Sequence, residues 1–108
     1  MKNLKDKVVV ITGAGSGIGR ALAHAFAGQG SLLALSDNNR QTLAETVRQL
    51  ELDKERVLSA VVDSSNREAT ERFGAKVVKA FGQVDVVINN AGIASKGSLD
   101  EVDYATFE

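Results

Sequence analysis

The sequence predicts an α/β chain, folded as a doubly wound parallel sheet, from three observations. Four apolar runs, at residues 8–11, 31–36, 57–62 and 84–88, alternate with amphipathic segments over short links. That alternation is the pattern of parallel strands joined by right-handed crossover helices. The first run is continuously apolar instead of alternating, as in a strand covered on both faces. Each run then stops at glycine or polar residues: Gly13 to Gly19, Asp37, Asp63, and Asn89 to Gly92. In open parallel sheets ligands bind beyond the carboxyl ends of the strands, so four separate segments point to one crevice.

The first strand is expected over residues 7–12. It runs into Thr12-Gly13-Ala14-Gly15-Ser16-Gly17-Ile18-Gly19. A strand that turns through glycines into a helix gathers backbone N–H groups and the positive helix end around one point, a site suited to a pyrophosphate. Gly13 permits the tight turn, Gly17 lets a ligand approach the backbone, and Gly19 lets the helix lie close to the sheet. The helix that follows has apolar residues at Ile18, Ala21, Leu22, Ala25 and Phe26, one stripe at helical spacing. Arg20 and His24 lie off that stripe, which makes His24 a solvated helix residue and not a base. Gly28-Gln29-Gly30 supplies the stop.

The second strand, residues 31–36, ends at Asp37, eighteen positions beyond Gly19. Asn38-Asn39 opens a helix whose apolar face carries Leu43, Val47 and Leu50. A charged turn at residues 53–56 leads to the third strand, which ends at Asp63. Ser65-Asn66-Arg67-Glu68 has capping-box spacing and starts a helix with a stripe at Ala69, Phe73, Val77, Ala80 and Phe81, stopped by Gly82. The fourth strand, residues 84–88, runs into Asn89-Asn90-Ala91-Gly92. Residues 98–108 read as the first turns of another helix.

Composition narrows the function. The formal net charge is −1, which leaves no basic footprint for nucleic acid and no polybasic membrane patch. No apolar run approaches the roughly 20 residues that span a bilayer. The lysine-bearing start lacks a signal-peptide core. With no cysteine and a single histidine, disulfides, thiolate catalysis and a metal cluster are excluded. A cytoplasmic protein of one domain, residues 1–108, is expected. No Gly-Lys-Ser or Gly-Lys-Thr follows the glycines, so the phosphotransferase P-loop fails.

Asp37 stands where a carboxylate accepts hydrogen bonds from adenosine ribose hydroxyls. The same charge repels a 2′-phosphate, and neither Ser16 nor Asn38 offers a compensating cation. NAD is therefore favoured over NADP, with Arg40 the nearby residue able to reverse that preference. The competing role for Asp37 is a helix cap. Asp63 suits the exocyclic amine of adenine, against a turn or cap role. Asn89 and Asn90 carry amides that both donate and accept. One is expected to tie neighbouring strand ends together, with the backbone of Asn90, Ala91 and Gly92 flanking a cofactor ribose.

Thr12 to Gly19 resembles the TGxxxGIG motif of the short-chain dehydrogenase/reductase family, Asn89 to Gly92 resembles its NNAG motif, and Asp63 falls where the family has an adenine-contacting aspartate. The resemblance runs from about Leu4 to Glu108. It implies a Rossmann-type fold with strand order 3-2-1-4, a nicotinamide cofactor, and hydride transfer between that cofactor and an alcohol or ketone. It assigns the pyrophosphate to Gly13, Ser16, Gly17 and Ile18, the ribose to Asp37, adenine to Asp63 and Ser64, and the nicotinamide-ribose region to Asn90.

Catalysis in that family resembles a Tyr-x-x-x-Lys pair with a serine. Here the one tyrosine is Tyr104 and four residues on stands Glu108, so Tyr104 reads as a packing or surface residue. The sequence thus resembles an amino-terminal, cofactor-binding half, inactive by itself, that ends after its fourth strand. That strand would be an open apolar edge, which recruits other chains, so self-association is expected. The alternative is a non-catalytic dinucleotide-binding module.

Overall fold

In the computed structural model, which describes residues 3–90 and 103–106, β1 (Val8–Thr12) is the middle strand of five. Val8, Val9 and Ile11 are wholly buried, which accounts for the unbroken apolar run. β1 pairs in parallel with β2 (Leu32–Asp37) on one side and β4 (Val86–Asn89) on the other. β3 (Val57–Val61) lies outside β2, also parallel, giving the expected order 3-2-1-4.

The end of the sheet departs from expectation. β5 (Asp103–Thr106) pairs antiparallel with β4, and Tyr104 stands opposite Ile88. Within the segment expected to begin a helix, residues 103–106 are therefore a strand, and β4 is not an open edge. The physical reason is the row of backbone N–H and C=O groups along β4, which a strand satisfies and a helix does not. Tyr and Thr within this segment also favour extended backbone. Self-association through a bare β4 loses its basis.

Among the described residues, three α-helices cover the sheet. α1 (Gly17–Gly28) buries Gly19 and Ala23. Leu22, Phe26 and Ala27 pack against the same core. Ala21 and Ala25, expected on the buried stripe, are exposed. The helix approaches the sheet on its smallest residues, Gly19 and Ala23, four apart on one face, and this turns Ala21 and Ala25 outward. α2 (Arg40–Leu50) is capped by Asn39, whose side chain accepts from the Thr42 N–H at 3.1 Å. A 3-10 turn (Lys54–Arg56) leads into β3.

α3 (Arg67–Phe81) corrects the capping box. Its cap is Asn66, whose side chain accepts from the Ala69 N–H at 3.0 Å, while the Ser65 hydroxyl donates to Asp63 Oδ1 at 2.6 Å. A neighbouring carboxylate captures the serine, and asparagine caps as well as serine does. Phe73 and Val77 are buried as expected, whereas Ala80 is exposed. Gly82 ends α3 with φ 80° and its N–H on the Val78 carbonyl at 2.7 Å, a left-handed stop natural to glycine.

The two faces of the sheet differ. One, under α1 and α2, holds a cluster that includes Ile11, Leu33, Leu35, Leu43 and Ile88. The other has only α3 among the described residues, with Val8, Val10, Ala34, Phe73 and Val77 buried beneath it.

Gly74, inside α3, has open space where a Cβ would stand. Gly74→Ala will raise stability by about 0.5–1 kcal/mol, because alanine removes backbone entropy from the unfolded chain without a clash. Thermal melting checks it; an unchanged or lower midpoint refutes it.

Candidate functional site

The registers bring the four parallel strand ends to one rim. Thr12 stands opposite Ser36 on one side and Asn89 on the other, and Asp37 stands opposite Val61. Hydrogen bonds then stitch the rim across the strands. The Ala14 N–H donates to the Ser36 carbonyl at 2.9 Å, and the Val62 N–H donates to the Asp37 carbonyl at 2.9 Å.

Two glycines in the turn take left-handed backbone, Gly13 with φ 67° and Gly17 with φ 57°. Gly19 is needed for another reason. A Cβ there would overlap the Gly13 carbonyl oxygen and lie 2.7 Å from Asn90 Nδ2. Ser16 is the residue before α1, extended at φ −161°, and its side chain makes no capping hydrogen bond. No acidic residue lies in the first turn of α1. The positive end of this helix therefore faces the rim with no side-chain anion of its own, alongside exposed Ser16 and Gly17 and half-buried Ile18.

Asp37 is fixed onto this turn. Its Oδ2 accepts from the Gly15 N–H at 2.8 Å and its Oδ1 accepts from the Asn39 N–H at 2.9 Å. It does not cap α2, since Asn39 holds that position. A Cβ on Gly15 would lie 2.8 Å from Asp37 Oδ2, so the glycine lets the carboxylate reach the loop. Arg40, the first residue of α2, is exposed.

Asn90 is buried, at 6 % exposure, and bridges β4 to the glycine turn. Its N–H donates to Thr12 Oγ1 at 2.9 Å and its Nδ2 donates to the Gly13 carbonyl at 3.1 Å. Asn89 is exposed and accepts from the Thr12 hydroxyl at 3.1 Å. Both asparagines thus tie the end of β4 to that of β1, Asn90 from a buried position that also reaches the glycine turn. Ala91 and Gly92 lie outside the described residues.

Asp63 and Ser64, just beyond β3, are exposed. Asp63 Oδ1 accepts from both the N–H and the hydroxyl of Ser65, at 3.0 and 2.6 Å. The Ser65 hydroxyl, then its N–H, stabilise the ionised form and hold this carboxyl below the usual aspartate range. Both bonds fall on one oxygen. Asp63 fills the turn role, and nothing in that geometry takes its second oxygen.

Two residues that the sequence reading left out of the site, Arg20 and Thr46, belong to it. Arg20 Nη2 donates to the carbonyls of Gly15 and Thr42 at 2.6 and 3.1 Å, and its Nε donates to Thr46 Oγ1 at 2.8 Å. Thr46 is wholly buried and its hydroxyl donates to the Ala14 carbonyl at 2.9 Å. A signal existed for Thr46. It follows Leu43 by three positions, so a polar side chain sits on a buried stripe and needs a partner. His24 is exposed, with Nε2 2.9 Å from Gln49 Oε1; its expected place on the solvated side holds. Among the described residues no cluster of histidine, cysteine or carboxylate could hold a metal ion.

The chain is similar to known proteins. The family model for short chain dehydrogenase matches residues 7–108. SadH of Mycobacterium tuberculosis, named as an oxidoreductase, is 44% identical over 108 residues. Human epidermal retinol dehydrogenase 2 is 43% identical over 95 residues. The alignments cover 100% and 87% of this chain but 39% and 31% of those proteins, so the chain spans well under half the length of each. Among solved structures, a short-chain dehydrogenase/reductase from Burkholderia phymatum in complex with NAD superposes with a TM-score of 0.75 at 38% identity. It covers 81% of this chain and 31% of that one. The chain belongs to the short-chain dehydrogenase/reductase family of oxidoreductases.

Proposed function

We propose that the protein is an NAD-dependent oxidoreductase in which this chain, one domain over residues 1–108, forms the cofactor-binding part. Asp37 on the Gly15 N–H is the observation that carries the reading. The carboxylate is held beside the glycine turn by two backbone donors, and each of its oxygens keeps a lone pair for a ribose hydroxyl. A 2′-phosphate at that place would meet a fixed negative charge. The Burkholderia relative binds NAD, which supports the same choice.

The N–H groups at the start of α1, with Gly13, Ser16, Gly17 and Ile18, would hold the pyrophosphate. Gly19 lets that helix start lie against the sheet. Asp63 and Ser64 would face adenine, Asp63 through the oxygen that Ser65 leaves open. Asn90, followed by Ala91 and Gly92, would flank the nicotinamide ribose. When bound, the nicotinamide supplies the hydride exchanged with an alcohol or ketone carbon of a small-molecule substrate. This chain's residues bind and orient; none of them is assigned to proton transfer, since Tyr104 has Glu108 and not lysine four positions on. The 108-residue chain will therefore bind NADH without turning over alcohols.

Among the described residues no helix is long and apolar enough to cross a membrane, and a cytoplasmic location accompanies the reading. Any self-association would use β3 or β5, the two outermost strands.

Calorimetric titration with NADH and NADPH tests the proposal. NADH is expected to bind the more tightly. Binding of NADPH alone refutes the role of Asp37, and binding of neither refutes the site. Asp37→Ala will narrow the NADH preference by roughly tenfold or more, the worth of a hydrogen bond to a charged group. Unchanged selectivity would leave Asp37 a purely structural residue.

A further inference from the structure

Backbone N–H groups can cradle an anion only if the carbonyl dipoles beside them point elsewhere, because a carbonyl oxygen facing a phosphate repels it. In the glycine turn, three successive carbonyls are each held by a side chain from a different element. Asn90, beyond β4, donates to Gly13; Thr46, on α2, donates to Ala14; Arg20, on α1, donates to Gly15. The last two are joined, since Arg20 Nε also donates to Thr46 Oγ1. Thr46 carries one hydroxyl proton. The Ala14 carbonyl at 2.9 Å lies closer to its oxygen than the Thr42 carbonyl at 3.3 Å, and Arg20 fills an acceptor site on that oxygen.

Gly15 is the peptide on which this arrangement turns. Its N–H is on Asp37 and its carbonyl is on Arg20, at 2.8 and 2.6 Å. A buried threonine joined to a half-buried arginine behind the turn is more than packing needs. An apolar residue at position 46 would fill the same space but take from the Ala14 carbonyl and from Arg20 Nε the partner that each has here.

We propose that Arg20 and Thr46 are positioning residues that turn the Ala14 and Gly15 carbonyls away from the pyrophosphate and so orient the turn for binding. The inference rests on the dinucleotide reading above. It adds how this chain keeps its glycine turn in the binding orientation from the side opposite the ligand. Without the pair, those carbonyls are free to rotate toward the anion, while Asp37 keeps its bond from the Asn39 N–H and Asp63 its bonds from Ser65, so the adenosine contacts lose less.

The test compares two ligands on the purified protein, NADH and adenosine, which lacks the pyrophosphate. Thr46→Val keeps the shape and removes the hydroxyl. It will weaken NADH about tenfold, the worth of one hydrogen bond, and weaken adenosine clearly less. Thr46→Ser, which restores a hydroxyl, will recover NADH binding. Arg20→Met removes the other donor and will show the same split, and it decides the matter should Thr46→Val fail to fold. Equal losses for both ligands, or no loss for NADH, overturn the inference while the dinucleotide reading stands. Failure of the unmodified protein to bind NADH overturns that reading and the inference with it.

Discussion

Gly19→Ala will abolish measurable NADH binding and lower the melting temperature sharply. The added Cβ would overlap the Gly13 carbonyl oxygen, and it would stand 2.7 Å from both the Gly13 carbonyl carbon and Asn90 Nδ2. None of these can yield cheaply. Gly13 directly follows the central strand, and the Asn90 amide is already committed to the Gly13 carbonyl at 3.1 Å. Relief requires α1 to retreat from the sheet, which opens the core at Ala23 and moves the helix start out of line with the turn. Overpacking of this kind costs about 1–3 kcal/mol or more, and roughly 4–8 °C in melting temperature goes with each kcal/mol in a domain of this size. Gly17→Ala is the informative control. A Cβ at Gly17 meets nothing, but φ is +57°, so its cost is backbone strain of about 1–2 kcal/mol with α1 left in place. If Gly19→Ala melts and binds like the parent, the close approach of α1 to the turn is not a requirement.

Ile11→Ala will be the second severe change. Ile11 is wholly buried on the middle strand and belongs to the cluster beneath α1 and α2. Cutting it back leaves a cavity one residue short of Thr12, whose hydroxyl receives the Asn90 N–H. Isoleucine-to-alanine changes in a packed core cost about 2–5 kcal/mol, against a total of about 5–15 kcal/mol for a typical domain. Urea titration will show a lower midpoint with an unchanged slope. A loss below about 1 kcal/mol would mean the core collapses around the gap. The residual protein should also bind NADH more weakly, because the void lies under the glycine turn proposed to hold the pyrophosphate.

The strands and helices of this sheet could be read from the sequence because their signals are local. Continuous apolar runs ending in Asp37, Asp63 and Asn89 place the strand ends, and Gly82 ends α3 by its own backbone preference. The readings that failed depended on competition between partners. Ser65 has the right spacing for a cap, but the adjacent Asp63 takes its hydroxyl and Asn66 caps instead. Ala21 and Ala25 fit the stripe of α1, yet contact through Gly19 and Ala23 rotates them to solvent. β5 forms because β4 offers it unpaired backbone, a fact about a neighbour in space that lies well back along the chain. In the candidate site, Asp37 was found by its distance from the glycines. Arg20 was passed over because a charged residue off the apolar stripe reads as solvated, and only the fold shows α2 waiting to receive it.

The unequal dressing of the two sheet faces sets an order of local opening. Secondary structure with fewer buried neighbours exchanges its amide hydrogens through cheaper fluctuations. β3 has Val61 at 43 % exposure, and α3 leaves Val78 at 51 %. Those elements will therefore breathe before β1, β2 and the helices behind them. Gly13 to Gly19 and Asp37 hang on the slow, tightly held side, while Asp63 and Ser64 hang on the loose one. A dinucleotide would thus meet a phosphate grip that is already rigid and an adenine grip that it must itself quieten, and the entropy lost on binding would fall mainly at the second.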